Sequence, residues 1–232
     1  MITTLKEIED WIIYNGGICP THDNHFGTDI NAVPELNLCM QQRPEEISRL
    51  IKFFLDKKIQ GESLKYYAEI GACSGGTTFA INKFLEFDEL LIIDDGGAEA
   101  SDFYVDQRGD QLRGQNLKFI PRIEIIGSSA EQRVIDMVLH ISTKQKYDIL
   151  FIDGDHSYQG IKLDTINYLS IVRQGGYVIF HDTAEHIPGI QQWLSELPAV
   201  FPNLVMVQKI ATPSKYTNAF PNGIGITVYQ KI

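Results

Sequence analysis

The sequence predicts an α/β fold: a doubly wound, seven-stranded, mostly parallel sheet with an antiparallel terminal strand. Three observations predict it. Apolar runs end at Ile70, Asp94, Ile126, Asp153 and Asp182, with helical stretches between them. Such strand–helix alternation builds parallel sheets with right-handed crossovers. The richest runs are continuously apolar, as in strands buried on both faces. The pattern then changes. Leu204–Ile210 and residues 224–229 are strand-like runs joined by a polar, proline-containing loop without a helix, and such runs pair antiparallel.

Residues 5–14 read as a weak amphipathic helix. Residues 15–37, rich in Gly, Asn, Asp and Pro, read as an irregular connection. Connections this long are usually functional or mobile, so a lid is expected there. Residues 44–58 form a helix with Ile47, Leu50, Ile51, Phe54 and Leu55 on one face. Pro44 suits its first turn, and Glu45, Glu46, Lys57 and Lys58 complement its dipole. The strand Tyr66–Ile70 runs into the turn from Gly71 to Thr78, and residues 79–85 are helical. The next strand, 90–93, ends in Asp94-Asp95, and the third ends in Gly127-Ser128-Ser129. Val134, Met137, Val138 and Ile141 mark a helix over 131–141. Ile161, Thr165, Leu169 and Val172 mark another over 161–172, with Lys162 and Asp164 on its solvated face. Residues 187–197 form the last helix. Trp11, Phe53, Phe54 and Trp193 are core residues, and Tyr158 packs. Residues 1–43 make an N-terminal helix and lid-like loop, and 44–232 the ligand-binding domain.

Composition limits the function. The 232 residues carry a net charge of −10 and are 44% hydrophobic. An acidic chain without a basic cluster is no nucleic-acid binder, because phosphate binding needs clustered Lys and Arg. No run is long enough to span a membrane, and the first residues are no signal peptide, so a cytoplasmic protein is expected. Cys19, Cys39 and Cys73 form no CxxC pair, which fits reduced thiols rather than zinc or disulfides. His22, His25, His140 and His186 read as surface or lid residues.

The chemistry concentrates at the strand ends, where open α/β sheets bind ligands. A strand, a glycine turn and a helix N-terminus make a nucleotide-type cradle, yet the spacing is neither G-x-G-x-x-G nor a phosphate loop. No lysine is at hand for phosphates. Glu69, just before the turn, suits an ammonium or sulfonium. A carboxylate ending the second strand can accept hydrogen bonds from ribose hydroxyls, with Asp94 first and Asp95 in reserve. Ser128 and Ser129 suit either an adenine or a helix cap. Asp153, Asp155, His156, His181 and Asp182 should converge at one sheet edge and suit a divalent cation and a proton acceptor. Asp155 and His156 are alternatively caps of the helix beginning near Ser157.

Taken together, Glu-Ile-Gly-x-x-x-Gly-x-Thr, the acidic second strand end, and Phe-Ile-Asp-Gly-Asp-His-Ser-Tyr followed by Gly-Gly-Tyr-Val-Ile-Phe-His-Asp resemble the class I S-adenosylmethionine-dependent methyltransferases. The resemblance is greatest to the small-molecule O-methyltransferase group that includes macrolide-sugar O-methyltransferases and cephalosporin-hydroxylase-type proteins. It covers roughly residues 41–232. It implies that Glu69, Gly71, Gly75 and Thr77 line the methionine-binding turn, that Asp94 takes the ribose and Ser129 the adenine side, and that Asp153 borders the cofactor. It implies His156 as base, with Asp153 beside it, and a metal held by Asp153, His181 and Asp182, either magnesium or manganese. Relatives often carry a carboxylate where this chain has His181, and magnesium prefers oxygen, so a nitrogen ligand favours manganese or iron. The expected activity is transfer of a methyl group to a hydroxyl of a small molecule. The partner is that acceptor, and homo-oligomerisation through the N-terminal helices is compatible. The rival readings are a nicotinamide-dependent oxidoreductase and a non-catalytic cofactor-binding domain.

Overall fold

The computed structural model describes residues 4–15, 38, 40, 42–96, 113–184, 187–213 and 223–232. In chain order the elements are α1 (Leu5–Asn15), α2 (Pro44–Ile59), β1 (Tyr66–Ile70), α3 (Gly76–Leu85), β2 (Glu89–Asp94), β3 (Arg122–Ile126) and α4 (Gln132–Ser142). Then follow β4 (Tyr147–Ile152), α5 (Tyr158–Tyr168), a 3-10 turn (Leu169–Ile171), β5 (Val172–His181), α6 (Pro188–Val200), β6 (Leu204–Ile210) and β7 (Ile226–Lys231). The lid expected over 16–37 lies outside the described residues, and Asn15, read as the start of the connection, closes α1. Cys19, Cys39, His22, His25 and His186 also lie outside the described residues.

The sheet has seven strands in the order β3-β2-β1-β4-β5-β7-β6. The first five run parallel, and β7 pairs antiparallel with both β5 and β6. The chain order reverses between β1 and β4, which places a crevice beyond their carboxyl ends. β1 and β4 lie side by side with Ile70 opposite Ile152. The glycine turn and the Asp153 loop therefore leave the sheet as neighbours.

Both faces of the sheet are covered. One core layer joins α1, α2 and α3 through Ile8, Ile12, Ile47, Leu50, Phe54 and Ile81 to Tyr67, Ile149, Phe151 and Val228. The other joins α4, α5 and α6 through Val134, Val138, Ile161, Trp193 and Leu197 to Ala68, Leu91, Leu150 and Phe180. Strands covered on both sides have no polar face, which is why β4 is buried at every position. Trp193 and Phe54 are buried, with Trp11 and Phe53 packed against the first layer, as the sequence predicts.

Asp164 departs from expectation: it is not on a solvated face but is 2% exposed. Glu46 stands in the first turn of α2 as expected, and it is 0% exposed. Helical spacing identified the face of α2 that meets the core. It did not reveal that the next face over is buried by the chain around Thr212 and residues 223–225.

Candidate functional site

The turn after β1 is shaped by close approach. Gly71 has φ +82°, and a Cβ there would lie 2.2 Å from the Asp153 carbonyl oxygen. Only glycine lets the turn pass against the β4 loop. Gly75, at φ +70°, is the N-cap of α3. Glu69 is buried at the end of β1, where Oε2 accepts from the Tyr67 hydroxyl at 2.8 Å and the Thr78 hydroxyl at 2.5 Å. Its Oε1 has no partner among the described residues. Burial raises the carboxyl to about 7, against the opposing hydrogen bonds of Thr78 and Tyr67.

Asp94 closes β2 with both oxygens engaged. Oδ2 accepts from Cys73 N–H at 2.8 Å and Oδ1 from Gly96 N–H at 2.9 Å. Arg113 Nη1 stands 3.0 Å from Oδ1. Ser129 follows β3, half-buried, and its carbonyl oxygen accepts from the Tyr168 hydroxyl at 2.6 Å.

Beyond β4 and β5 four of the five predicted acid and imidazole groups assemble, whereas Asp155 is exposed and accepts from Ser157 instead. His181 Nδ1 lies 3.0 Å from Asp153 Oδ1 and 3.0 Å from Asp182 Oδ2. His156 Nε2 lies 3.0 Å from the same Asp182 oxygen and 3.6 Å from Asp153 Oδ1. Asp182 reaches this position with φ +55°, a left-handed conformation that an aspartate adopts at a cost. The two histidines differ in access: His181 is buried, whereas the His156 side chain is 46% exposed. Burial opposes charge on His181, but Asp153 and Asp182 outweigh it and hold its pKa well above the ordinary value. Burial would likewise raise Asp153, yet His181 and His156 keep it below the ordinary carboxylate range. The hydrogen bond to Asp153 raises His156. His156 is not a helix cap. Ser157 caps α5 by accepting from Gly160 N–H, and Asp155 accepts from Ser157.

Asp153, His181 and Asp182 offer three donor atoms within 4.8 Å of one another. In number and kind they fit a borderline divalent cation. Coordination would displace the proton that Nδ1 shares with the two carboxylates. A metal-bound imidazole also hands its second N–H to an acceptor, and His181 Nε2 has none among the described residues.

Three contributors carried no signal in the sequence. Gln42 donates to Asp153 Oδ2 at 2.7 Å and accepts from the Thr77 hydroxyl, so it bridges the glycine turn and the β4 loop. Glu46 accepts backbone N–H groups from Thr212 at 3.0 Å, Ile224 at 3.3 Å and Gly225 at 3.1 Å. Ile224 and Gly225 in turn accept from Ala184 and Thr183, beside Asp182. Arg113 is the third. A cavity of about 590 Å³ lies at the opposite edge of the sheet, between the starts of β1, β4 and β5. There Asp148 is consumed by Lys65 N–H, Tyr66 N–H and Arg173, so that end is held by structural contacts.

The geometry can be set beside known proteins. A family model described as a methyltransferase domain matches residues 68–183, half of the chain. An uncharacterized protein of Acanthamoeba polyphaga mimivirus is 28% identical over 169 residues, covering 70% of this chain and 71% of that protein. An uncharacterized protein of Sinorhizobium fredii is 26% identical over 110 residues, 47% of this chain, which spans only 12% of that relative's length. Among solved structures, an O-methyltransferase from Bacillus cereus in complex with SAH matches with a TM-score of 0.52 at 19% identity, over 79% of this chain and 81% of that one. A putative caffeoyl-CoA O-methyltransferase from Staphylococcus aureus matches at 0.53 and 16%, over 79% and 83%. A putative RNA methyltransferase from Pyrococcus horikoshii matches at 0.56 and 15%, over 99% and 98%. At such identities the structures speak to fold, whereas the family match speaks to descent. The chain belongs to the methyltransferase-domain family, on the class I S-adenosylmethionine-dependent methyltransferase fold.

Proposed function

We propose that the protein transfers the methyl group of S-adenosylmethionine to a hydroxyl of a small molecule, with His156 as proton acceptor. The observation that carries this reading is a half-exposed imidazole oriented by a buried carboxylate, one loop away from the glycine turn. Asp182 can only accept, so the proton between them sits on His156 Nε2. The Nδ1 lone pair is then free to take a proton. A hydroxyl is a weak nucleophile until it loses its proton, whereas a neutral amine is not, so a placed base favours an oxygen acceptor. As the acceptor oxygen attacks the methyl carbon, the carbon–sulfur bond breaks and the sulfonium becomes a neutral thioether. The proton passes to His156, and Asp182 and Asp153 stabilise the imidazolium. The rest of the rate comes from holding the two substrates in line.

In this reading Glu69, Gly71, Gly75 and Thr77 meet the methionine portion, Asp94 the ribose and Ser129 the adenine side. The unpartnered Glu69 oxygen suits a cationic neighbour, which would draw the carboxyl to its charged form. The net charge of −10 favours a small acceptor over nucleic acid. No helix among the described residues is long and apolar enough to cross a membrane. Asp153, His181 and Asp182 would hold a divalent cation, which would supply Lewis-acid orientation of the acceptor oxygen.

Calorimetry with S-adenosylhomocysteine tests the cofactor assignment. Asp94→Ala removes a charge-assisted hydrogen bond worth roughly 1.5–3 kcal/mol, so affinity should fall about tenfold or more. Wild-type protein that binds no S-adenosylhomocysteine sinks the reading. For the cation, turnover in excess chelator is decisive. A metal-assisted enzyme stops without unfolding and recovers better with manganese than with magnesium. Undiminished turnover would leave His181 and the two carboxylates as hydrogen-bonding groups.

A further inference from the structure

The cofactor side of the sheet contains a buried cation. Arg113 lies in a helical turn at 113–116, between β2 and β3 in the chain, and is 1% exposed. Its Nη1 stands 3.0 Å from Asp94 Oδ1 and donates to the Cys73 carbonyl at 2.5 Å. Its Nε donates to Glu124 Oε1 at 2.6 Å. These partners belong to three walls of the cradle: the glycine turn, the tip of β2, and β3. The aliphatic stem also packs on the turn, since a Cβ on Gly75 would sit 3.1 Å from Arg113 Cγ. Cys73 itself holds φ +48°, a left-handed conformation that surrounding contacts must maintain in a residue with a side chain.

The carboxylate of Asp94 depends on this guanidinium. Burial works against its charge, and Asp95 opposes it as well. Arg113 and the amides of Cys73 and Gly96 favour it. Glu124 does not compete for Arg113 alone, because Arg122 Nε lies 3.1 Å from its other oxygen. The bonds to Arg113, Gly96 and Cys73 leave one acceptor direction, on Oδ2, for a ligand.

We propose that Arg113 is a positioning residue of the cofactor site. Its guanidinium locks the glycine turn, the β2 tip and β3 together and presents Asp94 as an ionised acceptor for a ribose hydroxyl. The proposal rests on the reading in which Asp94 meets the ribose. It assigns Arg113 no contact with the cofactor.

The test is S-adenosylhomocysteine affinity from about pH 6 to about pH 9, spanning the range in which a released Asp94 would ionise. Arg113→Gln should bind about tenfold more weakly at the acid end, with the deficit shrinking as pH rises and Asp94 regains its charge. Arg113→Lys keeps the charge but not the fork, so it should lose some affinity while its pH profile runs parallel to that of wild type, which includes the titration of Glu69 near 7. Asp94→Asn should be weak by a factor that does not change with pH relative to wild type, and adding Arg113→Gln to it should cost little more. A pH-independent loss in Arg113→Gln that repeats in full on Asp94→Asn overturns the proposal, as does no loss at all. Should Arg113→Gln fail to fold, a pH dependence in Arg113→Lys steeper than that of wild type overturns it instead. If wild-type protein binds no S-adenosylhomocysteine, the functional reading fails, and Arg113 is judged by carboxyl ¹³C NMR of Asp94. A titration midpoint higher in the arginine variant than in wild type supports the clamp, and equal midpoints reject it.

Discussion

His156 must be neutral before the reaction and charged after it. Its contacts with Asp153 and Asp182 favour the charged form, which stabilises the product of proton transfer and makes the neutral form scarcer. Turnover should therefore rise with pH through a value above the ordinary imidazole pKa of about 6.5. His156→Asn keeps a polar side chain but cannot take a proton. It should fold normally and lose about 10²–10⁴-fold in turnover, with S-adenosylhomocysteine affinity retained. Near-normal turnover in this variant would remove His156 from the proton path. At this scale the sequence was informative wherever a motif sat at the end of a strand. Asp153, His156, His181 and Asp182 were all visible because a parallel sheet brings its strand ends together. Gln42 and Arg113 were not visible, because each reaches the site from a connecting segment whose path no periodicity encodes. Asp164 was misread because one polar residue on an amphipathic helix reads as solvent-facing until the loops that cover it are known.

The elements themselves were largely legible. The five parallel strands end within a residue of the expected positions, and β6 occupies the expected span. The antiparallel pair was read from the missing helix. Its placement, with β7 between β5 and β6, was beyond periodicity because strand order is set by tertiary pairing. The junction of α2 with the ends of the β6–β7 connection gives a prediction at this scale. Glu46 gathers three backbone amides there, and hydrogen bonds to a charged acceptor contribute roughly 1.5–3 kcal/mol each in favourable cases. Glu46→Gln turns one acceptor oxygen into a donor facing those amides. The amides of Ile224 and Gly225 should then exchange with deuterium faster than in wild type, with α4 and α5 unchanged. Equal exchange would mean that the junction is held by strand pairing alone.

For the molecule as a whole, stability carries the mark of Asp164. Burial raises this carboxyl from 3.8 to about 6, opposed by a hydrogen bond from Ser129. Raising an acid in the folded state means that folding favours its protonated form. Its stabilising contribution is complete below about 3.8, declines as pH climbs to about 6, and is constant above that. In that window the decline amounts to roughly 1.4 kcal/mol per pH unit. Asp164→Asn should remove this component, so that the difference in unfolding free energy between variant and wild type changes across the window and levels off above it. Denaturant titrations at several pH values measure it. A difference independent of pH would show that Asp164 ionises in the fold as easily as in the unfolded chain.

The place of β7 has a further consequence, for how the chain is made. β7 follows β6 in sequence yet lies between it and β5, so during synthesis the sheet first ends at β5. Until β7 leaves the ribosome, the segment Tyr177–His181 presents an unpaired, apolar edge, and β6 has no neighbour to pair with. Unpaired edges of this kind recruit other chains. β7, arriving last, covers that edge on one side and gives β6 its partner on the other.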